Sequence, residues 1–387
     1  MLLLSRFLYL AIAATTVVKR AGNGRRAHRR AGGEPRQGDM KNPKSLMAPI
    51  IFAVAFVPVA ACAETYAGYG EEPTQSGHLG GKEYSPYLEI GYPQRVFWGD
   101  THLHTSFSTD AGMVGNRLGP DEAYRFARGE MVVASSGVRA RLQRPLDFLV
   151  VADHAENLGL APMIAEKNPD LLKTDFGRGI SDLVYAGKYG DAYSLWGEGM
   201  NAGKDPLKGN EALTQTMWER LTTAAEKFNE PGKFTALIGY EWTASPGGNN
   251  LHRNVVFRDG KDEADQVIPM SNYDSTDPED LWEWMAAYEA KTGGRVLAIP
   301  HNGNLSNGLM FDDVTLTAKK KLDRDYAERR MRWEPLYEVT QIKGDGEAHP
   351  SLSPNDEFAD YGTWDKGSFG AEPKTPDMLP REYAREA

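Results

Sequence analysis

A chain of 387 residues and 42.8 kDa with 41% hydrophobic and 10% aromatic residues holds enough apolar surface for a large core, which excludes a disordered chain. A formal net charge of -10, from 44 Lys and Arg against 54 Asp and Glu, argues against nucleic-acid binding, because phosphate backbones are met by clustered cations. The single cysteine, Cys62, excludes an intramolecular disulfide and a cysteine-based zinc site, so histidine and carboxylate remain as metal-ligating side chains.

The charge is unevenly placed: residues 1–63 carry 10 Lys and Arg against 2 Asp and Glu, and the remainder 34 against 52. Residues 1–39, an apolar stretch followed by the Arg-rich "KRAGNGRRAHRRAGGEPR", read as a leader upstream of the true start. From Met40, Lys41 and Lys44 precede an apolar run over Met47–Ala61 and then small residues, which predicts a signal peptide over 40–63 and a secreted, periplasmic protein. Two ends compete for that segment. "Ala61-Cys62-Ala63" suits ordinary cleavage, whereas "Val59-Ala60-Ala61-Cys62" resembles a bacterial lipobox that would make Cys62 a lipid anchor. The run of about 15 apolar residues is short of the ~20 that cross a bilayer, so no membrane span is expected. A Gly- and Tyr-rich linker over 64–91 leads into one domain, 92–387.

In that domain, strand-like runs at 95–104, 146–154, 234–242, 252–259, 294–301 and 335–342 alternate with helix-like segments. Several runs are nearly continuous in Val, Ile, Leu and Phe, as in parallel strands buried on both faces. One helix is marked by Pro120 in its first turn with Asp121 and Glu122 behind it; another by Asp277 as N-cap, Pro278 at N1 and Gly293 as C-cap. Alternating β and α units predict an α/β barrel or doubly wound sheet. The stretch 160–230 reads as a helical and loop insertion rather than a second domain.

The runs end in "HLH", "ADH", "YEW" and "PH", and in parallel α/β folds the C-terminal strand ends form the active-site face. In "GDTHLH", Asp100, His102 and His104 are spaced by two, so on a strand they share a face. Two imidazoles on one rigid strand suit a metal, with Asp100 placed to orient one ring. Six histidines lie beyond the linker, and His102, His104, His154 and His301 end strands. His252 opens the strand after Glu241, and either reaches the site or lies in a loop. Glu241 in "IGYEWT" follows an apolar run, where a carboxylate is costly unless paired or metal-bound. Asp110 is a ligand or the cap of a turn. Asp153, beside His154, would point away from it and support the ligands from behind. Asn249, Asn250 and Asn302 are loop amides within reach of a substrate. Glu338 follows in a late run, and the Asp345, Glu347 and His349 cluster reads as solvated loop.

Together "DTHLHTSFSTDAG", "VADHAE", "YEWT", "NLHRNVV" and "IPHNGN" resemble, in order, the motifs of the PHP (polymerase and histidinol phosphatase) superfamily, and most of all its secreted bacterial branch catalogued as a domain of unknown function. The resemblance implies a distorted seven-stranded (β/α) barrel holding two or three divalent metal ions, zinc, manganese or iron. It implies His102, His104, Asp110, His154, Glu241, His252 and His301 as ligands, with Glu241 bridging, and hydrolysis of phosphate esters. The superfamily pattern closes with a late Asp-x-His that is not found after "IPHNGN", so either the domain is C-terminally incomplete, which is the expectation, with "TPDMLPREYAREA" as the opening of a helix, or the site lacks a ligand pair.

The expected function is a metal-dependent phosphoesterase acting on a small-molecule ester, with a water shared between two ions as nucleophile. His252, His301 and Asp153 are the catalytic candidates, the two histidines as proton donors to the leaving group. Arg253, Asn302 and Lys343 are the substrate contacts, the two cations serving an anion. The same site would serve a sulfate, carboxylic or lactone ester, and a secreted protein that binds metal or ligand without catalysis is the alternative from another class.

Overall fold

The computed structural model describes residues 95–368 and 374–387; the expected leader, signal peptide, lipid anchor at Cys62 and linker lie outside the described residues. Phe97–Ala387 falls in one compact unit.

The fold is mixed α/β, built on a curled five-strand half-barrel. Its strands are β1 (Gly99–Leu103), β4 (Phe148–Val151), β5 (Thr235–Trp242), β6 (Arg253–Phe257) and β7 (Val296–Pro300), hydrogen-bonded in that order. β1, β4 and β5 run parallel, as their apolar sequences predict, but β6 is antiparallel to both β5 and β7. The expectation of an all-parallel sheet therefore fails at β6, which follows β5 through a tight return over Thr243–His252 with no crossover helix. That reversal has a use: an antiparallel strand begins at the rim where its neighbours end, so His252 stands beside the C-terminal ends of β4, β5 and β7. Two short hairpins, β2 (Val132–Val133) with β3 (Arg139–Ala140) and β8 (Thr340–Gln341) with β9 (Gly344–Asp345), complete the strands. The expected strand over 335–342 is thus mostly irregular chain, tied to β7 by Glu338 N donating to Pro300 O at 3.0 Å.

Strand alternation divides the side chains between two environments. On β5, Ile238, Tyr240 and Trp242 face outward into the main core with Val255, Phe257 and Trp218. The inner face carries a smaller cluster of Val150, Ala152, Val256 and Ile299, flanked by Leu237 and Leu297. Continuing that inner alternation by two residues reaches His154, Asn254 and His301, and by four from Leu237 reaches Glu241, so the polar rim rests on an apolar floor. The curl brings β6 back toward β1, where Asn254 Nδ2 donates to Thr101 O at 3.1 Å.

Helices cover the outer face. α2 (Pro120–Ala127) begins as its sequence predicts, with Gly119 N donating to Glu122 Oε2 at 3.0 Å. The 160–230 stretch is α3 (Leu160–Ala165), α4 (Asp175–Tyr185), α5 (Tyr189–Asn201) and α6 (Glu211–Phe228); α6 is the layer helix against β5, and α3–α5 are the insertion. α8 (Pro278–Thr292) has the predicted ends: Asp277 accepts from Glu279 N, and Gly293 closes the helix at φ 74°. The C-terminal residues make a single 3-10 turn, Leu379–Arg381, rather than an α-helix. They pack on the loop after β7. A side chain at Gly303 would meet Glu382 O and Tyr337 Oη, each at 2.4 Å, so only glycine fits there.

Arg253 sits one residue past His252 and therefore faces the opposite side of the sheet. It is 2% exposed, its Nε donates to Glu334 Oε1 at 3.1 Å, and its guanidinium lies 5.8 Å from the Trp242 ring centroid. Glu334, at the end of α9 (Arg324–Trp333), also accepts from Trp282 Nε1 at 2.9 Å and Arg330 Nε at 3.2 Å. Burial alone would raise the Glu334 carboxyl; the charges of Arg253 and Arg330 outweigh it and lower its pKa. Glu334→Ala strands a buried guanidinium and is expected to cost about 3–5 kcal/mol in urea unfolding at neutral pH. A carboxyl with a depressed folded-state pKa stabilises above its unfolded value and loses that contribution as pH falls, so the cost shrinks in acid below about 4.5. A loss under about 1 kcal/mol, the range of an exposed pair, would contradict the buried-pair account.

Candidate metal centre

The sheet rim gathers five imidazoles around one carboxylate. Glu241 is 1% exposed. Its Oε1 lies 2.6 Å from His252 Nδ1 and 3.0 Å from His301 Nε2; its Oε2 lies 2.8 Å from His104 Nε2, 3.4 Å from His102 Nε2 and 3.5 Å from His154 Nδ1. The predicted face-sharing of His102 and His104 is realised, since both rings reach the same oxygen.

Asp110 extends the cluster on one side. Its Oδ1 is 3.0 Å from His104 Nδ1 and its Oδ2 3.4 Å from His154 Nε2. Glu338 extends it on the other, with Oε2 2.7 Å from His102 Nδ1. Four sets of three residues lie close enough to hold an ion: His102, His301 and Glu338; His102, His104 and Glu241; His104, Asp110 and His154; His154, Glu241 and His252. The seven expected ligands are thereby brought together. Glu338 joins them unassigned by sequence, although an acidic residue inside the apolar run "PLYEV" is the same signal that marks Glu241.

The donor atoms fit a cation. His104 Nε2 and Glu241 Oε2 are buried and 2.8 Å apart, yet neither makes a hydrogen bond; His301 Nδ1 is also buried and unpartnered. Lone pairs aimed at one another over an apolar floor are costly unless a proton or metal ion lies between them. Burial opposes protonation of His102, but Glu338 and Glu241 raise it to about 9. Burial likewise opposes protonation of His104, and Asp110 and Glu241 carry it well above its ordinary value. On the acid side, burial is outweighed at Glu241 by His154 and His301, and at Asp110 by His104 and His154, so both carboxyls are held well below their usual range. His252 and His301 behave oppositely. Burial brings His252 down to about 3, and burial with the neighbouring His102 brings His301 down to about 4, leaving both neutral with lone pairs to offer. Neutral, buried rings suit ligation better than the proton donation expected of them.

The remaining expected site residues fall around this centre. Asp100 Oδ1 accepts from His102 N at 2.8 Å; it fixes the main chain where β1 departs from regular register, and Glu338 takes the ring instead. Asp153 is fully buried and points away from the cluster, accepting from Thr105 N and, at 2.7 Å, from Thr105 Oγ1. It fixes the chain that follows His104, which is a positioning contact in place of the catalytic one expected. Arg253 is removed to the outer face, and its expected anion contact with it. Lys343 lies in the β8–β9 turn, where its charge bears on Glu338. Asn302 follows His301 in a left-handed conformation (φ 61°), 2% exposed, with both amide atoms unpartnered. Asn250 Oδ1 accepts from His252 N at 3.2 Å, and Asn249 bonds Asn307. The Asp345 cluster is a turn outside the centre, as expected, but His349 in it is buried against the Tyr383 ring rather than solvated.

Fold and centre together define a mixed α/β protein whose sheet rim carries buried His and Glu groups able to hold a metal ion. The chain belongs to the family described as "Protein of unknown function (DUF3604)", which matches residues 92–387. No curated protein and no solved structure matches it.

Ligands must shed protons to bind a metal. Because the Glu338 and Glu241 carboxylates raise His102 to about 9, zinc titrated into the protein is expected to release protons, and its apparent affinity to rise as pH is raised toward about 9. Calorimetry in two buffers of different ionisation enthalpy reads this; identical heats in both would contradict the centre as described.

Proposed function

We propose that the protein is a secreted metal-dependent hydrolase of the PHP type, a phosphoesterase working with two or three divalent ions. The observation that carries this reading is the set of five imidazoles around the buried Glu241, extended by Asp110 and Glu338. Eight nitrogen- and oxygen-bearing ligands exceed what one tetrahedral ion takes, and Glu241, shared by two of the four sets, would serve both. Mixed imidazole and carboxylate donors suit zinc, manganese or iron. In this reading the described strands are one side of a seven-stranded (β/α) barrel, and the histidines line its rim.

Divalent ions in such a centre supply an activated water and a Lewis acid for the ester oxygens. The chain supplies the rest. His102 and His104 are fixed by their place on one strand, with Glu338 holding the far nitrogen of His102. His252 and His301, neutral and buried, hold their rings against Glu241. Asp110, with its side chain 32% exposed, is the most open of these ligands. Lys343, half-buried in its turn, meets the phosphoryl charge, and the unpartnered Asn302 amide offers both a donor and an acceptor to the ester.

The test is turnover of p-nitrophenyl phosphate and bis(p-nitrophenyl) phosphate by the full chain with zinc, manganese or iron(II) supplied. The expected result is metal-dependent hydrolysis that EDTA removes, His102→Ala abolishes, and Lys343→Ala weakens through KM. Hydrolysis of carboxylic or sulfate esters alone would reassign the substrate, and no turnover with any of the three metals would overturn the reading.

A further inference from the structure

Behind the centre stands a ring of hydroxyls. Ser108 Oγ donates to Asp110 Oδ1 at 2.7 Å and accepts from His154 N at 3.2 Å; Ser245 Oγ lies 3.1 Å from His252 Nε2; Thr243 Oγ1 is hydrogen-bonded to His154 Nδ1. Thr243 is 5% exposed and is itself fixed from behind, its N–H donating at 3.3 Å to Glu156 Oε1, a fully buried carboxylate oxygen that also accepts from Asn272 N at 2.6 Å.

His154 belongs to two of the ligand sets, one with His104 and Asp110 and the other with Glu241 and His252. Its nitrogens divide between them: Nε2 is 3.4 Å from Asp110 Oδ2, and Nδ1 is 3.5 Å from Glu241 Oε2. A neutral imidazole has one lone pair, and the nitrogen engaged in a fixed hydrogen bond is lost to the metal. The Glu241 main-chain oxygen stands 3.5 Å from Thr243 Oγ1 as acceptor for the hydroxyl proton, which leaves an oxygen lone pair facing His154 Nδ1.

Resting on the metal-centre reading above, we propose that Thr243 is a positioning residue that fixes the Nδ1–H tautomer of His154 and so assigns its Nε2 to an ion shared with His104 and Asp110. The position between Glu241 and His252 is then left without a His154 ligand. An ion there has fewer protein donors, which is the difference between a closed structural site and one with room for substrate.

Thr243→Val removes the hydroxyl at nearly constant volume, and Thr243→Ser keeps it. Zinc bound per full chain, by elemental analysis, and zinc affinity, by competition with a chelator, are measured for each, with circular dichroism as the check on folding. The expected result is that Val weakens binding of one zinc by about 10–100-fold and that Ser restores the wild-type value. Should Val fail to fold, Thr243→Ala is read in its place. Wild-type stoichiometry and affinity in the Val or Ala protein would overturn the assignment, and so would a Ser protein as weak as Val, which would credit the methyl group. A wild-type protein that takes up no zinc, manganese or iron would instead remove the metal reading itself, an outcome distinct from the other two.

Discussion

Everything at the rim depends on one buried carboxylate. Glu241 has its charge in a setting where an isolated carboxylate is expensive, above an inner face made of Val150, Ala152, Val256 and Ile299. It is tolerated because imidazoles surround it, and the carboxylate in turn stabilises the rings that the sheet brings together. Neither half is stable alone. Removing the histidines would leave an unpaired charge buried on the concave side of the sheet.

The sheet delivers these groups with little freedom. Alternation places every second residue of β4, β5 and β7 on the concave side, and the antiparallel course of β6 starts His252 at the same rim. The same alternation explains what the centre excludes. Arg253 and Asp153, each one residue from a ligand, face the other way and spend their charge on the packing of Glu334 and of Thr105. Chain that is irregular in secondary structure supplies the outer partners: Glu338 before β8, and Ser108, Thr243 and Ser245 in the loops that follow β1 and β5.

Much of this was legible in the sequence, because it follows from local pattern. The two-residue spacing in "GDTHLH", the apolar runs ending in His or Glu, and the caps of α8 at Asp277 and Gly293 are all local signals. The antiparallel direction of β6 was not legible, since "HRNVVF" has the composition of any buried strand and direction is decided by the length of the return from β5. The outward placement of Arg253 was available from period-two reasoning once His252 was placed inside. Glu338 carries the same signal as Glu241, an acid inside an apolar run, but its segment is an irregular stretch pinned to Pro300 rather than the regular strand the run predicts. The hydroxyl partners carry no signal of their own: a Thr two residues after a Glu is common, and only the fold brings it to His154.

The most direct test of the central claim is anomalous X-ray scattering from crystals of the protein grown with zinc or manganese. The account predicts at least two peaks at the sheet rim bounded by Glu241, His102, His104, His154 and His252, with Asp110 or Glu338 completing a ligand set. A refined map with no anomalous peak at the rim, and with the imidazoles hydrogen-bonded directly to Glu241, would contradict it.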